Sequence, residues 1–296
     1  MQRQVQKSCC RLNRHHSQLM ELTETSCDIC NSDDRTGLFV KEGFVHVRCN
    51  RCGLVYVSPR LKDHLAGQVF SGTAEMGDES LSGSQVKRIL FEVKRLEKYR
   101  TTNQILEIGA GKGWFLEQAK NMGWETWAVE VNAKAIDRLE DIGLKHVLNQ
   151  SAELFEAPDG HFDVVRMWDV IEHLQSPRKA LERACRALRP GGLIRLSTTN
   201  FASLSRIING PEWVYLNGAD HIILFEPDTI DRILRHSGFS NIRIKTRSFN
   251  LRRKLYHPEK DLTKVPLFVK PLRKFIDEMI RFSRFGHQMI VEASKY

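Results

Sequence analysis

The period of apolar and polar positions changes several times along the chain. Residues 38–47, Leu-Phe-Val-Lys-Glu-Gly-Phe-Val-His-Val, form two short apolar stretches around Glu42-Gly43. Strand-forming residues flanking a Gly-containing pair predict a hairpin. From residue 85 onward, short apolar runs alternate with segments whose apolar residues recur every three to four positions. The runs at 104–108, 124–130, 145–148, 162–168, 191–198 and 240–248 predict strands. The segments at 85–99, 113–122, 132–142, 176–188 and 227–237 predict helices. Pro227 suits a helix start, and Pro190-Gly191-Gly192 suits a turn into a strand. Strands alternating with helices imply an α/β fold, a doubly wound and mostly parallel sheet covered on both faces.

These patterns divide the chain. Residues 1–22 read as a polar, disordered tail, 23–60 as a small ribbon and 61–84 as a linker or flap. Residues 85–296 read as the α/β domain, with an insertion at 249–286. No apolar run reaches the roughly 18 residues of a membrane span. The first 20 residues lack the apolar core of a secretory signal. Both features lead us to expect a cytoplasmic chain.

Cys27, Cys30, Cys49 and Cys52 read C-x2-C, 18 residues, C-x2-C. Each CxxC turn aims two thiolates at one point, and two turns at this separation suit a four-thiolate zinc site. Gly53 follows the second pair, where the backbone turns tightly. Two disulfides or four free thiols are the competing readings. An odd total of seven cysteines argues against disulfides. A ribbon this small cannot bury a core, so the metal would be structural. Cys9, Cys10 and Cys185 have no comparable partners.

Ile105-Leu-Glu-Ile-Gly-Ala-Gly-Lys-Gly113 follows an apolar strand and opens a helix. Gly109, Gly111 and Gly113 let the backbone approach a ligand closely. Glu130 ends the next strand, 21 positions after Gly109, which suits a carboxylate holding both ribose hydroxyls. A surface carboxylate is the plainer alternative. The spacing is G-x-G-x-G rather than the G-x-G-x-x-G of a dinucleotide site. Glu107, two residues before the first glycine, can meet a cationic group such as an amino acid ammonium. The combination favours S-adenosylmethionine over a nicotinamide dinucleotide.

With these residues in view, the chain resembles the class I S-adenosylmethionine-dependent methyltransferases, of the broad type common among bacterial small-molecule enzymes. The resemblance runs through Leu106–Gly113, Ala128–Val131, Phe162–Leu174 and Leu188–Ser197, then His221-x3-Phe225 and Ser237-Gly-Phe239. The ribbon followed by Tyr56-Val-Ser-Pro-Arg60 resembles the N-terminal module of a subset, many of which act in surface-polysaccharide or natural-product pathways. The resemblance implies a Rossmann-like sheet of seven strands, the last, antiparallel one supplied by residues 287–294. It also implies cofactor contacts from Gly109, Ala110, Gly111 and Gly113, with Glu130 and Val131 at the ribose. Ser151 and Ala152 would lie at the adenine, where the family often carries an Asp. Met167 and Trp168 would flank the adenine or the acceptor, although Trp168 also reads as core packing.

Methyl transfer from a sulfonium mainly needs alignment, and a base only where the acceptor is a hydroxyl or similar protonated group. His173, His221 and Asp169 are the leading candidates, with Asp220 and Tyr215 behind them. Asp169, Glu172 and His173 sit at i, i+3 and i+4, so a helical turn would gather them on one face. The quinone-pathway O-methyltransferases carry a similar cluster that can bind a divalent metal. A helix N-terminus with acidic residues is the plainer alternative.

Charge alters one part of this picture. The formal net charge is +9, yet residues 1–240 carry 31 basic and 31 acidic residues. Residues 241–296 carry 14 and 5. Phe268, Leu272, Phe275, Ile276 and Met279 recur at helical spacing there, decorated by Lys270, Arg273, Lys274, Arg281 and Arg284. A solvated basic face, an anionic or lipid-linked acceptor, and peripheral contact with an acidic membrane all fit. Nucleic acid fits less well, because aromatic residues are not interleaved for base stacking. The expected activity is methylation of a hydroxyl on a small or lipid-linked metabolite, such as a sugar or natural-product intermediate. The rivals are an RNA methyltransferase that grips RNA through the ribbon and basic end, and a non-catalytic partner subunit of the same fold.

Overall fold

The computed structural model describes residues 22–62, 81–247 and 283–296. Residues 1–21 of the expected tail, most of the expected linker, and the basic amphipathic residues at 249–282 lie outside them.

The chain begins with β1 (Leu22–Thr23), β2 (Arg35–Lys41), β3 (Phe44–Cys49), β4 (Val55–Val57) and β5 (Arg60–Leu61). β2 and β3 form the expected hairpin, closing at Lys41↔Phe44. Glu42 and Gly43 both take positive φ, 52° and 85°, the conformation of a two-residue hairpin turn. β1 pairs with β5.

Next come α1 (Gly83–Leu96), β6 (Gln104–Ile108), α2 (Trp114–Asn121), β7 (Glu125–Glu130), α3 (Ala133–Asp141) and β8 (His146–Asn149). They are followed by β9 (Phe162–Trp168), α4 (Pro177–Ala187), β10 (Leu188–Thr199), α5 (Leu204–Asn209) and β11 (Ile223–Leu224). The chain ends with α6 (Pro227–His236), β12 (Phe239–Arg247) and β13 (Gln288–Lys295). Seven strands form one sheet in the order β12-β13-β10-β9-β6-β7-β8. The β6–β7, β6–β9 and β7–β8 pairs are parallel. The α/β expectation therefore holds, and the closing strand inserts beside β10. β10 starts at Leu188 rather than after the glycines.

Two compact units emerge. Among the described residues, one comprises 22–62, 197–231, 243–247 and 283–291, and the other 81–196, 232–242 and 292–296. In the second unit, Leu96, Ile105, Leu116, Leu139 and Val164 are fully or almost fully buried in one apolar cluster. The turn before β6 is held by Asp163, whose Oδ2 accepts from the Thr101, Thr102 and Asn103 amides. In the first unit, the ribbon sheet has a fourth strand. β11 pairs antiparallel with β4, in the order β11-β4-β3-β2. The ribbon thus builds on residues 223–224, which the sequence pattern assigns to the α/β domain. Val55 packs there with Phe201, Trp213, Leu216 and Leu224.

Candidate functional site

The glycine loop and Glu130 meet as their spacing implies. Gly109 donates from its amide to the Val129 carbonyl at 2.8 Å, which places the loop across the end of β7. Gly109 has φ +71°, and a Cβ there would lie 2.5 Å from Val170 Cγ2. Gly113 has φ +70°, and a Cβ there would lie 2.5 Å from Leu139 Cδ2. Only glycine fits both demands. Glu130 is buried, and its carboxylate is bonded to the backbone. Oε2 accepts from the Gly111 amide at 2.8 Å. Oε1 accepts from the Val131 and Asn132 amides at 2.8 and 2.9 Å. A carboxylate has about four acceptor directions. Three are used here, and one remains for a ligand hydroxyl. Val131, the next residue, is exposed.

Glu107 and Arg166 face each other across β6 and β9 in register. Arg166 donates to Glu107 Oε1. Glu107 Oε2 is buried with no hydrogen-bond partner among the described residues, so it is an acceptor open to a cationic group. The Arg166 guanidinium lies between two rings, 4.1 Å from the Phe115 centroid and 4.3 Å from that of Trp168. Burial pulls Arg166 down to about 9. Strand alternation explains the set, because Arg166 and Trp168 share one sheet face and Met167 takes the other. Met167 is fully buried, so its side chain belongs to the core. The sequence reading missed Arg166. Its signal was a lone cation within the apolar run Phe162–Trp168.

Ser151 begins a tight turn, its carbonyl accepting from the Leu154 and Phe155 amides. Ala152 is buried. Glu153, the carboxylate of this turn, accepts from the Gln175 amide at 3.0 Å.

The α-helical turn expected across Asp169, Glu172 and His173 does not form. Asp169 has φ 52° and ends the strand exposed. Ile171–His173 is a single 3-10 turn, with Glu172 buried. The positive φ of Asp169, followed by Val170 at φ −127°, keeps an α-helix from beginning there. In the first unit, His221 is half-buried. Its Nε2 lies 3.9 Å from Asp220 Oδ2, and its ring centroid lies 5.5 Å from that of Tyr215.

The four cysteines converge. Cys27, Cys30, Cys49 and Cys52 place their Sγ atoms within 4.8 Å of one another. Cys27–Cys52 is 3.3 Å and Cys30–Cys49 is 3.5 Å, far from the about 2.05 Å of a disulfide. Four thiolates around zinc would stand about 3.8 Å apart, given Zn–S bonds of about 2.3 Å. The donor set therefore fits a tetrahedral thiophilic ion with only slight expansion. The contact between Cys27 and Cys52 lowers the Cys52 thiol and raises that of Cys27, so a single proton is shared unequally across the pair.

The family model described as "Methyltransferase domain" matches residues 83–244. The chain belongs to this methyltransferase-domain family. Among curated relatives, the ubiquinone biosynthesis O-methyltransferase of Maricaulis maris is 34% identical over 152 residues, covering 46% of this chain and 59% of that protein. That of Cereibacter sphaeroides is 30% identical over 158 residues, covering 50% and 64%. The match thus spans less than two thirds of either relative. Solved structures share the methyltransferase fold. An S-adenosylmethionine-dependent methyltransferase from Archaeoglobus fulgidus aligns with TM-score 0.51 at 24% identity, covering 71% of this chain and 94% of that one. One from Thermotoga maritima aligns with TM-score 0.51 at 19% identity, covering 79% and 99%. No described helix is long and apolar enough to cross a membrane.

Proposed function

We propose that this methyltransferase-family chain transfers the methyl group of S-adenosylmethionine to a hydroxyl of a small metabolite. The observation that carries this reading is the pair of prepared carboxylates, Glu130 against the Gly111 amide and Glu107 with one oxygen open. When bound, S-adenosylmethionine supplies a methyl group already activated on a sulfonium. Glu130 accepts from a ribose hydroxyl with its remaining acceptor direction. Glu107 accepts from the methionine ammonium, and Arg166 keeps that carboxylate in place. The backbone of Gly109–Gly113 lines the methionine part, and Val131, Ser151 and Ala152 lie along the nucleoside. Trp168 offers a flat wall stiffened by the guanidinium behind it. Met167 contributes through its backbone.

A hydroxyl acceptor needs a base, and His173 and His221 are the residues we assign to that task, with Asp169 as a polar contact. The curated relatives' names speak of O-methylation in ubiquinone biosynthesis, which supports oxygen as the acceptor atom. Within that class we favour a sugar or natural-product hydroxyl, carried free or on a lipid. The four cysteines hold a structural zinc ion.

The test is methyl transfer from labelled S-adenosylmethionine to panels of hydroxylated sugars and phenols. Label should enter one panel, and His173→Ala or His221→Ala should abolish the entry. Label entering neither panel while RNA is methylated would replace this reading with the RNA one.

A further inference from the structure

The ribbon shares its sheet with a segment far along the chain, and the bonds that hold that segment start beside the cysteines. β3 ends on Cys49, and the 49–52 turn closes with the Gly53 amide on the Cys49 carbonyl at 3.0 Å. β4 starts three residues after Cys52. It pairs Tyr56 with Ile223 and Val55 with Leu224, and the Val57 amide donates to the Ile222 carbonyl at 2.9 Å. Arg48, just before Cys49, reaches both sides of this junction. Its Nη1 donates to the Gly53 carbonyl at 2.9 Å and to Glu226 Oε2 at 3.1 Å, and Nη2 donates to Glu226 Oε1 at 2.7 Å. The two-pronged geometry fixes both position and angle. Leu54, Val55 and Tyr56 are almost wholly buried, as are Leu224 and Phe225. Residues 222–226 are thus held by the two strands that flank the second cysteine pair.

The ribbon is poorly equipped to fold without help. In β2, Leu38 and Val40 are exposed, and residues 23–60 taken alone have little apolar area to offset their chain entropy. Metal-binding energy supplies that deficit in such units.

We propose that metal binding by Cys27, Cys30, Cys49 and Cys52 orders the segment Ile222–Glu226, with Arg48 as the positioning residue that transmits it. The cofactor-binding residues, all in the other compact unit, do not depend on the metal. His221 directly precedes this segment. The metal therefore governs the acceptor-handling part of the reading above, and not cofactor binding. The inference rests on the zinc assignment made there.

Hydrogen exchange on the full chain, with metal content measured on the same sample, tests it. Removing the metal with a chelator should speed exchange in peptides spanning 220–227 by at least about tenfold. Peptides spanning 104–132 should change by less than about twofold. Arg48→Ala should loosen 220–227 while keeping one bound metal per chain, and Arg48→Lys should restore part of the protection. Unchanged exchange at 220–227 after metal loss would overturn the proposal, as would equal loosening of 104–132. Unchanged protection in Arg48→Ala would overturn the positioning role. A purified chain holding no metal would instead overturn the zinc assignment.

Discussion

The Glu130 carboxylate accepts from the Gly111 amide at 2.8 Å, joining the end of β7 to the middle of the glycine loop. This bond shapes the loop before any ligand arrives. Glu130→Ala removes it together with the contacts to Val131 and Asn132. Affinity for S-adenosylmethionine should fall about 100-fold by calorimetry, the scale of one charge-assisted hydrogen bond. Glu130→Gln should also fall, by at least about tenfold, because an amide nitrogen would face backbone donors. Wild-type affinity in Glu130→Gln would show that the carboxylate matters only as a shape.

Gly113 and Gly111 should behave differently. Both have positive φ, but a Cβ at Gly113 would strike Leu139 while one at Gly111 meets nothing within 4 Å. Gly111→Ala should cost about 1 kcal/mol from backbone strain alone. Gly113→Ala should cost about 2–3 kcal/mol, since the Leu139 and Ile142 side chains must also move. Denaturant unfolding of the two variants gives the comparison, and equal costs would contradict the packing argument.

Arg166 and Glu107 should be strongly coupled. Removing one partner leaves the other charge buried, so Arg166→Ala alone should cost about 3 kcal/mol. Replacing both, as Glu107→Gln with Arg166→Met, should cost clearly less than the sum of the single changes. A double-mutant cycle in urea measures this. Additive losses would mean that the pair does not interact in solution.

His46 gives the ribbon unit an acid-sensitive point. Its side chain is fully buried and stacks on Phe39 at 4.5 Å, and neither ring nitrogen meets hydrogen-bond geometry with a partner among the described residues. Burial pushes it down to about 4, against a weaker upward pull from the Phe44 backbone. The folded value lies below the unfolded one of about 6.5, so the unfolded chain binds more protons between them. Stability should therefore be full above about pH 6.5 and fall as pH drops toward 4, by up to about 3 kcal/mol. His46→Phe should flatten this part of the stability–pH curve. A curve equally steep in the variant would assign the effect to other groups.

The α/β core was legible because its signals are local. Apolar runs, the glycine spacing and Glu130 each announce themselves within a few residues, and the strands fell within a few residues of expectation. Contacts across long separations were not legible. Nothing near Arg48 in the sequence points to Glu226, and a two-residue strand such as β11 has no periodicity to detect. Arg166 escaped notice because its partner is set by strand register rather than spacing. The break from the helix expected at Asp169–His173 was not legible, because i, i+3, i+4 spacing is also met by a chain that turns at Asp169 and enters a short 3-10 turn. The chain instead turns left-handed at Asp169 to seat Val170 against Gly109.

The central claim is that Glu107, Glu130 and the glycine loop bind S-adenosylmethionine. Calorimetric titration of the folded wild-type chain with S-adenosylmethionine tests it most directly. The account predicts saturable binding at one site per chain, abolished or severely weakened by Glu130→Ala. No binding by the folded wild-type chain, or equal binding by the variant, would contradict it.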